Sequence, residues 1–206
     1  MINYNLLAKA QKYYGENGYE FIEVPWMVSK ECDEITKPNN MTPMIIEYNN
    51  KHLIASGEQG FLYLYMKGYL PNGKYQTITP CFRNEPFDVT HQKMFMKCEL
   101  ITFLDHNASR EEIKKVLDKT KDDAHKFFCS IAKYPDWISE IKTHNIENTA
   151  KCRLYANYDI EYEGFEIGSY GVREYNDMLW VYGTGLAEPR FSKVDNIIYN
   201  NLNSKQ

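Results

Sequence analysis

Leu6, Leu7, Ala10, Tyr13 and Tyr14 share one helical stripe, which predicts a helix over Asn3–Tyr14 that Gly15 and Gly18 stop. Tyr19–Val24 is β-branched and aromatic and predicts a strand ended by Pro25. Glu31–Thr42 is polar and broken by Pro38 and Asn39, which predicts a loop at the border of a pocket. Met44–Tyr48 and His52–Ala55 flank Asn49-Asn50 as a hairpin would, and Glu58–Lys67 returns to helix with Phe61, Leu62 and Tyr65 inward. Thr77–Phe82 and Met94–Phe103 predict a pair of strands, with Pro86, Asp88 and Thr90 suited to the turn between them. Ser109–Lys133 is the clearest helix. Ser109 and Glu112 form a capping box, and Ile113, Val116, Leu117, Ala124, Phe127, Phe128 and Ile131 make its apolar face. A last helix is expected over Ser192–Leu202. This order implies an α+β fold, a mixed and mainly antiparallel sheet flanked by helices.

Composition narrows the class. At 206 residues, one domain over 1–206 is expected. Hydrophobic residues at 43% and charged residues at 25% are ordinary for a soluble fold, and 15% aromatics suit a broad packed sheet. No apolar run approaches the ~18 residues that cross a bilayer, and the first residues lack the charged and apolar regions of a signal peptide. The five cysteines are scattered and odd in number, so a reduced cytoplasm is the expected setting. Cys98 beside Glu99 has no CxxC or HxxxH companion, so zinc is not expected; Cys81 and Cys98 fit the sheet core as small apolar groups. The net charge of −4 is unfavourable to nucleic acid, where phosphate contacts need cations. Lys114, Lys115, Lys119 and Lys121 alternate with acidic residues along the long helix and are expected to form a solvated face.

Arg83 and Glu85 follow the first predicted strand at alternate positions, so an extended backbone sends both side chains off one face. Phe95, Glu99 and Ile101 share one side of the returning strand. A guanidinium for a phosphate, a carboxylate for an amine and an aromatic plate for a base would meet there. The plainer alternative is a cross-strand ion pair worth a few tenths of a kcal/mol, roughly the surface value.

The string TPCFRNE at Thr79–Glu85, with Phe95 and Glu99 four residues apart in FMKCEL, resembles the second signature motif of class II aminoacyl-tRNA synthetases, most nearly the catalytic core of the seryl enzymes. Other segments follow in the family's order. Gly18–Val28 (GYEFIEVPWMV) resembles the first motif, whose proline ends a dimer-interface strand. Leu53–Gly60 (LIASGEQG) resembles the substrate loop, with Ser56 in the threonine position. Tyr158–Ser169 (YDIEYEGFEIGS) resembles the strand pair that carries a metal-binding Glu and a Ser three residues on. Gly183–Arg190 (GTGLAEPR) resembles the third motif, a glycine-rich strand end that opens a helix carrying an arginine.

The resemblance implies amino-acid activation by ATP. Arg83 and Arg190 would be the catalytic cations, Arg83 on the α-phosphate and Arg190 on the γ-phosphate. Asn84 and Glu85 would join the ATP site, with Glu85 accepting from the adenine amino group and Phe95 stacking on the ring. Glu166 and Ser169 would hold Mg2+. His91, where the family usually has arginine, would contact the γ-phosphate or serve as a structural hydrogen-bonding residue. Ser56, Glu58, Glu99 and Thr184 would bind the amino acid, with serine the first expectation and Arg173 an added cation nearby. A homodimer through Gly18–Val28 is implied. The seryl enzymes' N-terminal tRNA-gripping arm is not expected here, so the acyl acceptor is expected to be a carrier protein or a small molecule. A partner-dependent tRNA-charging enzyme and a non-catalytic regulatory or binding paralogue are the alternatives.

Overall fold

The computed structural model describes residues 1–39, 41–46, 49–84, 91–143 and 151–204. Its frame is a seven-stranded sheet in the order β1-β5-β6-β10-β9-β8-β7. The strands are β1 (Glu20–Phe21), β5 (Gly73–Phe82), β6 (Met94–Leu104), β7 (Ile138–Lys142), β8 (Arg153–Tyr162), β9 (Phe165–Tyr175) and β10 (Met178–Glu188). Every neighbouring pair is antiparallel except β1 with β5. β2 (Met27–Val28), β4 (Lys51–Leu53) and β3 (Ile45–Ile46) form a second, three-stranded sheet. The α+β expectation holds, as a mainly antiparallel sheet with flanking helices.

Side chains alternate between the two faces of the large sheet, so each face carries its own core. On one face Cys98, Leu100, Tyr170, Val172, Val181 and Leu186 pack under α1 (Tyr4–Glu16), α4 (Arg110–Ile131) and α5 (Arg190–Asn203). On the other, Tyr75, Ile101, Phe103, Trp180 and Tyr182 pack with Val24 and Val28, and with residues of α2 (Lys30–Thr36) and α3 (Gly57–Met66). Pro80 is tolerated in β5 because the two-residue β1 pairs only with Tyr75 and Gln76 and leaves Pro80 on an edge.

Three expectations need correction. Glu31–Thr42 is not all loop: α2 occupies Lys30–Thr36, with the Ser29 side chain accepting from the Cys32 N–H as N-cap. The strand expected over Tyr19–Val24 shrinks to Glu20–Phe21. Lys121 leaves the solvated face. It is buried, its Nζ donates to Glu140 Oε1 at 2.6 Å and lies 3.9 Å from the centre of the Tyr158 ring. The turn residues Pro86, Asp88 and Thr90 lie outside the described residues.

Candidate active site

The sheet's second face does not fill completely. Toward the end where β5 delivers Arg83 and α5 begins, it leaves an open cleft of about 670 Å3. Register explains which side chains reach it. Glu99 of β6 pairs with Thr77 and Thr184, and Lys97 pairs with Thr79, so Phe95, Lys97 and Glu99 share one face. Ser169 pairs with Asp159, and Tyr182 with Gly171, which in turn pairs with Asn157, continuing that face across β8–β10. Gly57 lets the start of α3 approach this surface: a Cβ there would stand 2.8 Å from Thr77 Cγ2.

Arg83 and Arg190 both border this cleft, as do Phe95, Glu166, Ser169, Ser56, Glu58, Glu99 and Thr184. Arg83 Nε donates to the Ala55 carbonyl at 3.1 Å, and its guanidinium lies 5.1 Å from the centre of the Phe95 ring. Arg190, the first residue of α5, donates to Glu166 Oε1 at 3.1 Å. Asn84 is exposed, and neither it nor His91 is among the cleft-lining residues. Glu85 lies outside the described residues.

The four residues expected to bind an amino acid have partners within the chain. Glu58 accepts from Arg173 and, at 2.6 Å, from Trp180 Nε1. Glu99 accepts from Lys97 Nζ at 2.8 Å and from the Gly57 N–H at 3.0 Å. The Thr184 hydroxyl faces the β9 backbone, accepting from the Ser169 N–H at 3.2 Å. Ser56 is the N-cap of α3, accepting from the Glu58 N–H at 3.2 Å. The Arg173 guanidinium also lies 4.2 Å from the centre of the Tyr182 ring, and its buried Nε has no hydrogen-bond partner among the described residues. Three cation–carboxylate pairs therefore line one cleft, Lys97–Glu99, Arg173–Glu58 and Arg190–Glu166.

Sequence reasoning passed over Asp159. It belongs to an alternating acidic run, Asp159, Glu161 and Glu163, which has the pattern of a plain exposed strand face. The alternation of β8 holds, with Ile160 and Tyr162 buried in the first core, so Asp159 projects from the opposite face into the cleft, paired with Ser169; the extra residue at the register shift is Ile167 of β9. Burial and then the Glu166 charge push its carboxyl up to about 6, with the Ser169 hydroxyl pulling the other way. Asn157 was missed too; its Oδ1 accepts from the Tyr182 hydroxyl at 2.7 Å and the Ser169 hydroxyl at 3.3 Å. Cys81 and Cys98 are both buried; burial pushes the Cys81 thiol up to about 11 and Cys98 higher still.

An antiparallel sheet with helices on both faces and a cation-lined cleft at the start of its last helix is the catalytic fold of class II aminoacyl-tRNA synthetases. Residues 1–127 match the model of the class II tRNA synthetases for D, K and N, and the chain belongs to that family. Solved structures share the fold at low identity. The cytoplasmic serine-tRNA ligase of Naegleria fowleri, in complex with AMP, superposes with a TM-score of 0.69 at 16% identity over 92% of this chain and 52% of its own. The seryl-tRNA synthetase of Pyrococcus horikoshii, complexed with ATP, gives 0.68 at 16% identity over 90% of this chain and 48% of its own. The pyrrolysyl-tRNA synthetase of Desulfitobacterium hafniense gives 0.69 at 13% identity over 93% and 68%. The chain thus spans about half the length of the two seryl enzymes. No curated protein matches it.

Proposed function

We propose that this chain activates an amino acid with ATP, forming an aminoacyl adenylate and releasing pyrophosphate. The observation that carries this reading is the placement of Arg83 and Arg190, 107 positions apart by their numbers (190 − 83), on one cleft beside Phe95. Its volume of about 670 Å3 lies within the ~300–1,000 Å3 of small-molecule sites. In the reaction a carboxylate oxygen of the amino acid bonds to the α-phosphorus, and the bond from that phosphorus to the bridging oxygen breaks, so pyrophosphate leaves with its electron pair. No proton moves in that step. Charge on the phosphate oxygens is the main obstacle, and a planar guanidinium meets it with paired N–H donors. Arg83 takes the α-phosphate, and Phe95, at the same edge of the cleft, takes the adenine face. Arg190 exchanges Glu166 for the γ-phosphate.

Asp159 and Glu166 fit a divalent cation. The Asp159 carboxyl, raised by burial and by the Glu166 charge, ionises more readily beside a cation, and the Ser169 hydroxyl adds an oxygen. No group of three or more acidic, histidine or cysteine ligands occurs among the described residues, so ATP oxygens and water would complete the shell of Mg2+. When bound, Mg2+ offsets phosphate charge.

The amino-acid subsite carries internally neutralised pairs, Arg173–Glu58 and Lys97–Glu99. A charged side chain would have to break one of them, which favours a small uncharged amino acid such as serine. Oxygens of Glu58 and Glu99 each accept one bond and have lone-pair capacity for the α-ammonium. The net charge of −4 supports an acceptor other than tRNA, a carrier protein or a small molecule. Family membership favours a second reading, transfer to tRNA with help from a partner.

ATP–pyrophosphate exchange across all twenty amino acids, with Mg2+ present, tests the proposal. Exchange is expected with one or a few uncharged amino acids. Silence with all of them in folded protein overturns activation, and a best substrate with a charged side chain overturns the subsite reading. Charging of total tRNA by the same protein would replace the first acceptor with the second.

A further inference from the structure

A chain of hydrogen bonds, fully buried from Gln59 onward, runs from Arg83 through the cleft-lining residues Ala55 and Gln59 to a histidine that no part of the proposed chemistry uses. Arg83 Nε donates to the Ala55 carbonyl at 3.1 Å, and the Ala55 N–H donates to Gln59 Oε1 at 2.7 Å. Gln59 Nε2 donates to Asp33 Oδ1 at 2.6 Å, and the other oxygen, Asp33 Oδ2, lies 2.7 Å from His52 Nδ1. Asp33, Gln59 and His52 are only 1%, 1% and 3% exposed. They come from α2, α3 and β4, so three elements are linked to Ala55 through Gln59. The Ile54–Ala55 peptide is held from both ends, because its carbonyl accepts from the Phe82 N–H at 2.8 Å.

Burying a carboxylate is costly even when it is well paired, and an apolar cluster of the same shape often packs as stably or better. Apolar residues could fill the same space; what the network adds is direction. A guanidinium held at Nε has its plane set, and the plane decides whether its terminal nitrogens form a fork on a phosphate. We propose that Asp33 and Gln59 are positioning residues, which fix the Ala55 carbonyl and through it the plane of the Arg83 guanidinium. The inference rests on the activation reading, in which Arg83 meets the α-phosphate.

A double-mutant cycle in the full chain tests it. Gln59→Met keeps length and removes both polar ends. In the parent background it is expected to lower kcat of ATP–pyrophosphate exchange about 10-fold while KM for ATP and amino acid changes less than about 2-fold. In an Arg83→Lys background, where no fork remains to be aimed, the same change is expected to lower kcat less than about 2-fold. Equal losses in the two backgrounds, or a loss confined to KM, overturn the relay. Should Gln59→Met fail to melt cooperatively, Asp33→Asn and Asp33→Ala take its place. Asn keeps an oxygen for Gln59 Nε2 and is expected to hold kcat within about 2-fold, whereas Ala loses about 10-fold. Equal behaviour of those two variants overturns the relay. Exchange absent from the parent with every amino acid removes the activation reading itself, and the relay with it.

Discussion

Asp159 shows what a single carboxylate reveals when its surroundings disagree with its chemistry. Its folded-state carboxyl sits at about 6, raised first by burial and next by Glu166. The unfolded value is lower, so the folded chain binds the extra proton between the two values. Stability from this group is therefore fully present below the unfolded value and is lost as pH rises through about 6. At pH about 7.5, with no divalent ion, Asp159→Asn is expected to stabilise the chain by about 1 kcal/mol, a figure discounted for solvent screening. That is a rise in Tm of roughly 2–4 °C for a chain of this size, shrinking toward zero near pH 4. Millimolar Mg2+ should raise the Tm of the parent and not of the variant. Thermal melts at the two pH values, with and without Mg2+, check all of this. A variant that is less stable at pH about 7.5 would remove the premise of two opposed carboxylates. At this scale the placing of Arg83, Arg190 and Phe95 on one cleft followed from the motifs that resemble the class II signatures, since an Arg-x-Glu hairpin by itself has the pattern of a surface ion pair. Asp159 was not legible, because an acidic residue on an alternating strand has the same pattern whether its face meets solvent or a cleft, and only the long-range pairing of β8 with β9 decides which.

Elements were legible where their apolar stripe is long, and obscured where a polar residue forms part of the core. α4 shows the first case: Ser109 caps the helix as its sequence implies, and Leu117, Ala124, Phe127 and Phe128 are buried. α2 shows the second. Its seven residues bury Asp33 along with Cys32 and Ile35, and Asp33 is stable there only because Gln59 and His52 satisfy it. A hydrophobic pattern cannot register such a residue, so the segment has the sequence of a loop. The start of α3 raises the opposite ambiguity, since Ser56 was expected to touch substrate and here caps the helix. Ser56→Ala is expected to cost about 1 kcal/mol, whereas Ser56→Gly, a tolerated cap, costs only a few tenths. If capping is the residue's whole role, both variants keep KM for the amino acid within about 2-fold of the parent. A similar and large KM increase in both would return Ser56 to the substrate. Denaturation midpoints and exchange kinetics on the same preparations separate the two roles.

At the scale of the whole molecule, the antiparallel sheet and its flanking helices followed from the order of predicted elements. The division into two cores did not, because it depends on which parity of each strand faces which helices, and pairing partners far apart in sequence decide that. The same long-range pairing leaves β1 as a two-residue edge with Phe21 at 43% exposure, and β2, an edge strand of the smaller sheet, carries Met27 at 39% next to Trp26 at 51%. These three lie within Gly18–Val28, the segment expected to join two copies, and large exposed apolar groups on edge strands are a liability for a lone chain. We propose that a second copy covers them. A stable interface buries about 1,200–2,000 Å2 in total, so these three side chains would be its apolar centre rather than its whole extent. Sedimentation velocity at about 10 µM is expected to show a dimer, which places Kd below roughly that concentration. Trp26→Glu, which puts a charge at that centre, should shift the boundary to a single chain while leaving the melt cooperative. Because β2 packs against α3, and α3, capped by Ser56, carries Glu58 and Gln59 at the cleft, the monomeric variant should also lose exchange activity. A parent that sediments as a single chain at this concentration would mean that the exposed edge serves something other than self-association.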